Sequence, residues 1–219
     1  MTGVFRDRQD AGVQLASQLA GFADDPNVVV LGLPRGGVPV AYEVARVLHA
    51  PLDVFVVRKL GVPGHRELAM GALASGGVRV LNPEVVNTLG IPPRMIDAVA
   101  DQEQKELERQ ERAYRGDVAF PDLKGRTVIV VDDGLATGST MRAAVKALRL
   151  MEPRRIVVAA PVAAAETCRN LAKEADEVVC VNTPEAFHAV SLWYEEFLQT
   201  SDDEVRFLLK SAGQLAPVD

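Results

Sequence analysis

Five short apolar runs rich in valine and isoleucine recur along the chain with helical patterns between them, and this alternation restricts the fold more than any other feature. Residues 28–33, 53–57, 127–131, 156–161 and 177–181 read as strands. Residues 38–49, 141–151 and 164–173 place apolar side chains at the three- and four-residue spacing of a helix. The strands are apolar at successive positions, so both of their faces must be covered. Helices on both sides of a mostly parallel sheet meet that demand. The expected class is α/β: a mostly parallel twisted sheet flanked by helices, one domain over 1–219 with its core from about 28 to 182. Residues 70–75 and 78–81 flank Gly76 and Gly77, which predicts a hairpin.

Two regions stand outside the alternation. Residues 92–114 form a long helix whose middle, DQEQKELERQER, is strongly polar. Asp101 and Lys105, and Glu108 and Arg112, are spaced for favourable i,i+4 pairs, and Ile96, Ala100, Leu107 and Tyr114 make a narrow apolar stripe. The plain reading is a solvated helix on one edge of the domain; a partner-binding helix is the alternative. Phe187, Trp193, Tyr194 and Phe197 concentrate in the C-terminal segment, and an N-terminal helix over about 7–22 is expected to pack near them. Together, about 1–23 and 183–210 are expected to form a small hood.

Net charge is −6, with 24 Lys plus Arg against 30 Asp plus Glu, so the surface repels a polyphosphate backbone and nucleic acid is not an expected partner. A small anion in a local cationic pocket is still allowed. Cys168 and Cys180 lie in no CxxC pair and have no neighbouring histidine, which argues for free, buried or half-buried thiols rather than zinc ligands. The N-terminus lacks the basic-then-apolar pattern of a signal peptide, and no apolar run approaches the roughly 20 residues that span a bilayer. A cytoplasmic protein without membrane contact is expected.

The chemistry concentrates in Val128 to Thr140, VIVVDDGLATGST. An apolar strand runs into two adjacent acids, Asp132 and Asp133, then into a loop of small and hydroxyl residues, Ala136, Thr137, Gly138, Ser139 and Thr140, that opens a helix. Backbone N–H groups of such a loop and of a helix N-terminus bind phosphate. The two acids cannot themselves attract phosphate, but they suit the vicinal hydroxyls of a ribose. A nucleotide P-loop would need lysine after its second glycine, and Gly138 is followed by Ser139. A plain helix cap would explain neither the paired acids nor the run of hydroxyls.

This segment resembles the 5-phosphoribosyl-1-pyrophosphate (PRPP) motif of the type I phosphoribosyltransferases, with Gly134 standing where the family usually has an aliphatic residue. The resemblance implies that Asp132 and Asp133 bind ribose and that 136–140 bind the 5'-phosphate. Leu33-Pro-Arg-Gly-Gly37 is similar to the pyrophosphate loop: Gly36 and Gly37 admit an anion to the backbone, and Arg35 supplies charge. Arg58 and Lys59 are expected to end the second strand, where the family often has a basic residue that reaches pyrophosphate. Residues 60–68 match the family's mobile loop, with His65, Arg66 and Glu67 as candidates for contacts on closure. The implied reaction transfers the phosphoribosyl group of PRPP to a nitrogen acceptor, a nucleobase or related small molecule, with Arg35, Lys59, Glu67 and His65 as candidate catalytic groups. It implies Mg²⁺, held mainly by PRPP and water with Asp132 or Asp133 nearest, and a homodimer as the common assembly. Phe187, Trp193 or Tyr194 either stack on the acceptor or pack the hood. Ala136 stands where the 6-oxopurine members have an acid, which argues against their base-assisted chemistry. A PRPP- or nucleotide-sensing protein without turnover, and another phosphoribosyl-handling enzyme, stay open as alternatives.

Overall fold

The computed structural model describes residues 4–215. In chain order it contains α1 (Arg8–Gln18), β1 (Val28–Gly32), α2 (Gly37–Leu48), β2 (Leu52–Val54), β3 (Val57–Val62), β4 (His65–Ala74), β5 (Val78–Leu81), α3 (Pro83–Thr88), α4 (Pro93–Arg115), β6 (Thr127–Val131), α5 (Ser139–Arg149), β7 (Arg155–Val162), α6 (Ala165–Leu171), β8 (Glu177–Asn182) and α7 (Asp202–Leu215). Five strands form a parallel sheet in the order β2-β1-β6-β7-β8. The α/β class with a parallel sheet between helices is therefore present.

Alternate side chains of each strand go to opposite faces, and each face has its own helices. Val28, Val30, Ile129, Val131 and Val157 pack with Leu15 of α1 and Val40, Val44 and Leu48 of α2. Val29, Leu31, Val128, Val130, Ile156 and Val158 pack with Met141, Val145 and Leu148 of α5 and Leu171 of α6. Burying each such side chain contributes about 1.5–3 kcal/mol, and the long buried apolar runs are those of the three central strands, β1, β6 and β7. The chain moves outward from β1 to β2 on one side, and from β6 through β7 to β8 on the other. Between β1 and β6, paired from Val28↔Thr127 to Gly32↔Val131, the strand order therefore reverses. Ligand crevices of open parallel sheets form at such a point, outside the carboxyl ends of the strands.

The second strand departs from the expected one. It stops at Val54, and Arg58 and Lys59 lie instead on β3 of a separate antiparallel sheet, β3-β4-β5. Phe55 N still bonds Gly32 O at 3.0 Å, but Val56 N turns to the Ser75 hydroxyl at 2.9 Å, so the chain leaves one sheet for the other within two residues. Residues 60–68 are correspondingly a hairpin and not an irregular loop: Val62 pairs with His65 around a turn in which Gly64 has φ +82°. The shift of register at Gly61 bends this hairpin.

The antiparallel sheet packs under α4. Leu60, Val62, Met70 and Leu73 meet Ile96, Ala100, Leu107 and Tyr114, together with Val205 of α7. The polar face of α4 is laced differently from the expected pattern: among the described residues Glu106 pairs with Arg109 and Glu111 with Arg115, while Glu103 takes Arg58 at 2.9 and 2.6 Å. Phe5 and Tyr194 form a parallel bridge, with Phe5 N bonding Trp193 O and Glu195 N bonding Phe5 O, each at 2.8 Å. Later residues of the expected hood segment fold as α7, whose Val205 lies in the α4 cluster. Cys168 and Cys180 are free, half-buried thiols with sulfurs 3.4 Å apart.

Arg115 is the polar joint between α4 and the parallel sheet. Only 8 % of its side chain is exposed; Nε bonds Asp53 Oδ1 at 2.9 Å, and Nη2 bonds Val54 O at 3.1 Å. Burial raises the Asp53 carboxyl above its ordinary range, and Arg115 opposes that rise. Arg115→Met leaves a buried carboxylate without its cation and is expected to cost about 3 kcal/mol in urea unfolding at neutral pH. Protonation of Asp53 relieves the unpaired charge, so the loss relative to wild type should shrink as pH falls through the raised Asp53 range.

Candidate functional site

Two loops leave the sheet side by side at the point of strand reversal: 33–37 after β1 and 132–138 after β6. Their approach depends on glycine. A Cβ on Gly37 would stand 2.6 Å from Val131 O and 2.9 Å from Asp132 Cα, and one on Gly36 would lie 2.0 Å from Asp133 Oδ2. Any larger residue would drive the loops apart. The Pro34–Arg35 peptide is cis.

The loop after the acids is shaped from below. Gly138 has φ +67° and caps α5, and Thr167 Cγ2 lies 2.5 Å from where its Cβ would be. The Thr167 hydroxyl donates to Ala136 O at 2.5 Å, fixing the loop to α6. Thr137 and Ser139 place their hydroxyls 3.1 Å apart. Ala136, Thr137, Ser139 and Thr140 are exposed, and the first N–H groups of α5 have no acceptor within the helix. The result is an open concavity of amide and hydroxyl donors at a helix N-terminus, a setting for a phosphate dianion.

Each acid uses one oxygen internally. Asp132 Oδ1 accepts the Asp133 N–H at 2.9 Å; Asp133 Oδ2 accepts Arg8 Nε at 2.9 Å and stands 2.8 Å from Arg8 Nη2. Asp132 Oδ2 and Asp133 Oδ1 receive no donor from the described residues. Burial raises Asp132 well above the ordinary aspartate range, and the neighbouring Asp133 charge raises it further. Burial raises Asp133 as well, and Arg8 opposes the rise. The pair is thus two acceptor oxygens on a crowded wall, short of positive charge.

Arg35 immediately precedes Gly36 on the first loop. With Thr140, Phe55, Arg58, Tyr114 and Asp202 it lines a cavity of about 320 Å³. Tyr114 donates to Asp202 Oδ1 at 2.8 Å, and burial with that bond pushes its hydroxyl up to about 12. Arg58 reaches this cavity while held by Glu103. Lys59 Nζ donates to Glu67 O at 2.6 Å and stands 3.9 Å from its carboxylate, both side chains largely exposed on the hairpin. His65 is exposed beside the turn; Arg66 is in β4, and its side chain lies outside the described set. Among the described residues no hydrogen bond or ion pair joins Lys59, His65 or Glu67 to 132–140. The structure thus brings Arg35–Gly37, the acids and the hydroxyl loop together, with Arg58 at their margin, and places the other three on the flap.

Sequence reading missed Arg8, Thr167 and Asp202. None lies in a motif, and each meets the site only through the tertiary fold. Tyr194 has another role than stacking: it is 5 % exposed and donates to Asp133 O at 2.6 Å. Phe187 and Trp193 pack in the same cluster with Phe5 and Val162. Gly134 is explained there too, since a Cβ would lie 2.5 and 2.8 Å from the methyls of Val190. Val190 fills the space beside Gly134 from the C-terminal segment.

The Phosphoribosyl transferase domain model matches residues 65–196, more than half of the chain. The chain belongs to that family. Two curated Mycobacterium tuberculosis proteins, "Putative phosphoribosyl transferase Rv0571c" of strain H37Rv and "Putative phosphoribosyl transferase MT0597" of strain CDC 1551, are each 50 % identical over 95 % of this chain. The alignment covers 47 % of each, so the chain spans about half the length of the curated relatives it matches. The crystal structure of TT1426 from Thermus thermophilus is 42 % identical, with a TM-score of 0.85 over 95 % of this chain and 98 % of that one. The phosphoribosyl transferase family match spans the acids, the hydroxyl loop and the flap from His65, but begins after Arg35 and Lys59. Among the described residues no helix is long and apolar enough to cross a membrane.

The Gly134–Val190 contact is testable by compensation. Gly134→Ala should destabilise the protein by about 1–3 kcal/mol through overpacking, and adding Val190→Ala should recover most of the loss. Additive losses in the double variant would show that the two residues do not share the space.

Proposed function

We propose that the chain is a Mg²⁺-dependent phosphoribosyltransferase that moves the phosphoribosyl group of PRPP to a nitrogen acceptor, a nucleobase or related small molecule, with release of pyrophosphate. One observation carries this reading: two free carboxylate oxygens and a phosphate cradle follow one another on a single strand–loop–helix, directly against the Arg35–Gly37 loop. In this reading the cradle at 136–140 takes the 5'-phosphate, and Asp132 Oδ2 and Asp133 Oδ1 accept from the ribose hydroxyls. Arg35 and the Gly36 amide face the departing pyrophosphate, while the Gly37 N–H is taken by Leu33 O at 3.0 Å. The acceptor nitrogen forms its bond to C1 as the C1–O bond breaks, and pyrophosphate leaves with the electron pair. Stabilising charge that separates between ribose and pyrophosphate is then the main catalytic task. Lys59, His65 and Glu67, on a hairpin tied to the core through β3, approach only if that flap closes.

Carboxylate oxygens on a crowded wall suit a hard cation that keeps its waters and takes its remaining ligands from the substrate. In this reading PRPP carries the ion, and Asp132 or Asp133 would be the protein group nearest to it. When bound, Mg²⁺ supplies the positive charge that the acids and pyrophosphate lack.

A sensing protein with the same binding core draws on a different observation: Lys59 and Glu67 are engaged with each other rather than with the site. Glu67→Gln and His65→Gln separate the readings. A transferase loses turnover with PRPP affinity nearly kept, whereas a sensor has no pyrophosphate release to lose.

Calorimetric titration of PRPP tests the reading itself. Wild type should bind only with Mg²⁺, the double variant Asp132→Asn/Asp133→Asn should not bind, and a screen of base acceptors should release pyrophosphate. Because burial holds both acids above the ordinary aspartate range, they take up protons at a higher pH than free aspartate does. PRPP affinity should accordingly fall as pH is lowered through that raised range. A folded wild type that binds neither PRPP nor ribose 5-phosphate would overturn the proposal.

A further inference from the structure

The N-terminal helix enters the site through one side chain, Arg8. Its guanidinium makes four contacts, and they join parts of the chain far apart in sequence. Nε donates to Asp133 Oδ2 at 2.9 Å and Nη2 stands 2.8 Å from the same oxygen. Nη1 donates to Leu198 O at 2.5 Å, and the Phe197 ring lies beneath with its centroid 4.0 Å from Cζ. The side chains of Arg8 and Asp133 are only 12 % and 14 % exposed, so the pair is screened from water on most sides.

Both guanidinium contacts fall on one oxygen of Asp133. That oxygen also faces Gly36, where an added Cβ would stand 2.0 Å away. Oδ2 is therefore turned inward, between the arginine and the pyrophosphate-side loop. The carboxylate is planar, so fixing Oδ2 fixes Oδ1 on the opposite side, where no described residue donates to it. Asp132 is fixed likewise, through Oδ1 and the Asp133 N–H, with Oδ2 left over. Without Arg8, nothing on the side of the N-terminal helix would hold the Asp133 rotamer. Two adjacent carboxylates beside a phosphate cradle would also be left with no cation in contact among the described residues.

We propose that Arg8 is a positioning residue of the sugar subsite: by engaging Asp133 Oδ2 it presents Oδ1 to the ribose 2-hydroxyl. The inference rests on the reading of the acids as ribose acceptors and adds the group that aims one of them. It gives α1 a role in sugar recognition distinct from covering an acceptor. It also couples that role to the C-terminal segment, because Phe197 and Leu198 hold the guanidinium from its other side.

The test compares ribose 5-phosphate with 2-deoxyribose 5-phosphate by calorimetry, on wild type, Arg8→Gln and Arg8→Lys. Wild type should prefer the ribose compound by at least about tenfold, the value of one hydrogen bond to a charged acceptor. Arg8→Gln should bring the ratio close to one. Arg8→Lys, which keeps the charge but has no fork of donors, should give an intermediate ratio and serves where the glutamine variant folds poorly. A merely structural arginine would weaken both ligands together and leave the ratio intact, and that result overturns the inference while sparing the ribose reading. A wild type that binds both sugars equally does not read the 2-hydroxyl and overturns the inference, since the 3-hydroxyl is common to both. A wild type that binds neither sugar phosphate overturns the inference, and if PRPP also fails to bind, the proposed function falls with it.

Discussion

β1 and β6 lie side by side but send their crossovers in opposite directions, and the site exists because of that divergence. Helices leaving the two strands go to opposite faces, so neither of them covers the sheet end between the strands. Both loops that matter, 33–37 and 132–138, are the first residues beyond this end. Gly32 and Val131 are in register, which sets the loops at one height. Gly36 and Gly37 then let them touch. The sheet supplies rigidity from strands buried on both faces, and the loops add only short excursions to it. Groups that must act together are thus carried on the least deformable part of the molecule.

The electrostatics of the crevice are unbalanced. Two acids stand beside a donor-lined cradle, and burial disfavours their ionisation. Arg8 compensates on the side of the N-terminal helix, while Arg35 stands in the adjoining cavity. A polyanionic substrate with its cation would complete the balance, with the cation nearest the acids and the phosphates nearest the amides. Tyr114 and Asp202 show that α4 and α7 also reach this region, through a hydrogen bond in the wall that Arg35 shares.

The parallel sheet was legible because burial on two faces leaves a signature that polar loops cannot imitate. The 128–140 segment was legible because acids, small residues and hydroxyls occur together for few other reasons. The antiparallel sheet was not. Arg58 and Lys59 look like the end of a strand, and nothing local reports that the chain changes sheets at Phe55 and Val56. Gly134 stood out as a departure, but its cause, Val190, lies in a different segment packed on it by the fold. Arg8 left no signal, because its partner is 125 residues away and an arginine in the first turn of a helix is ordinary. Local physics wrote the strands and the phosphate loop; contacts between distant segments wrote the remainder.

The parallel bridge between Phe5 and Tyr194 has a temporal meaning. On a ribosome, Arg8 emerges well before Asp133, and Phe197 and Leu198 come later still. The sheet edge and the phosphate cradle can form while these later residues are still unmade, but the clasp that orients Asp133 must wait for them. In the proposed reading, ligand competence waits for Phe197 and Leu198 to be made, and a chain released before them would carry the motif without the grip.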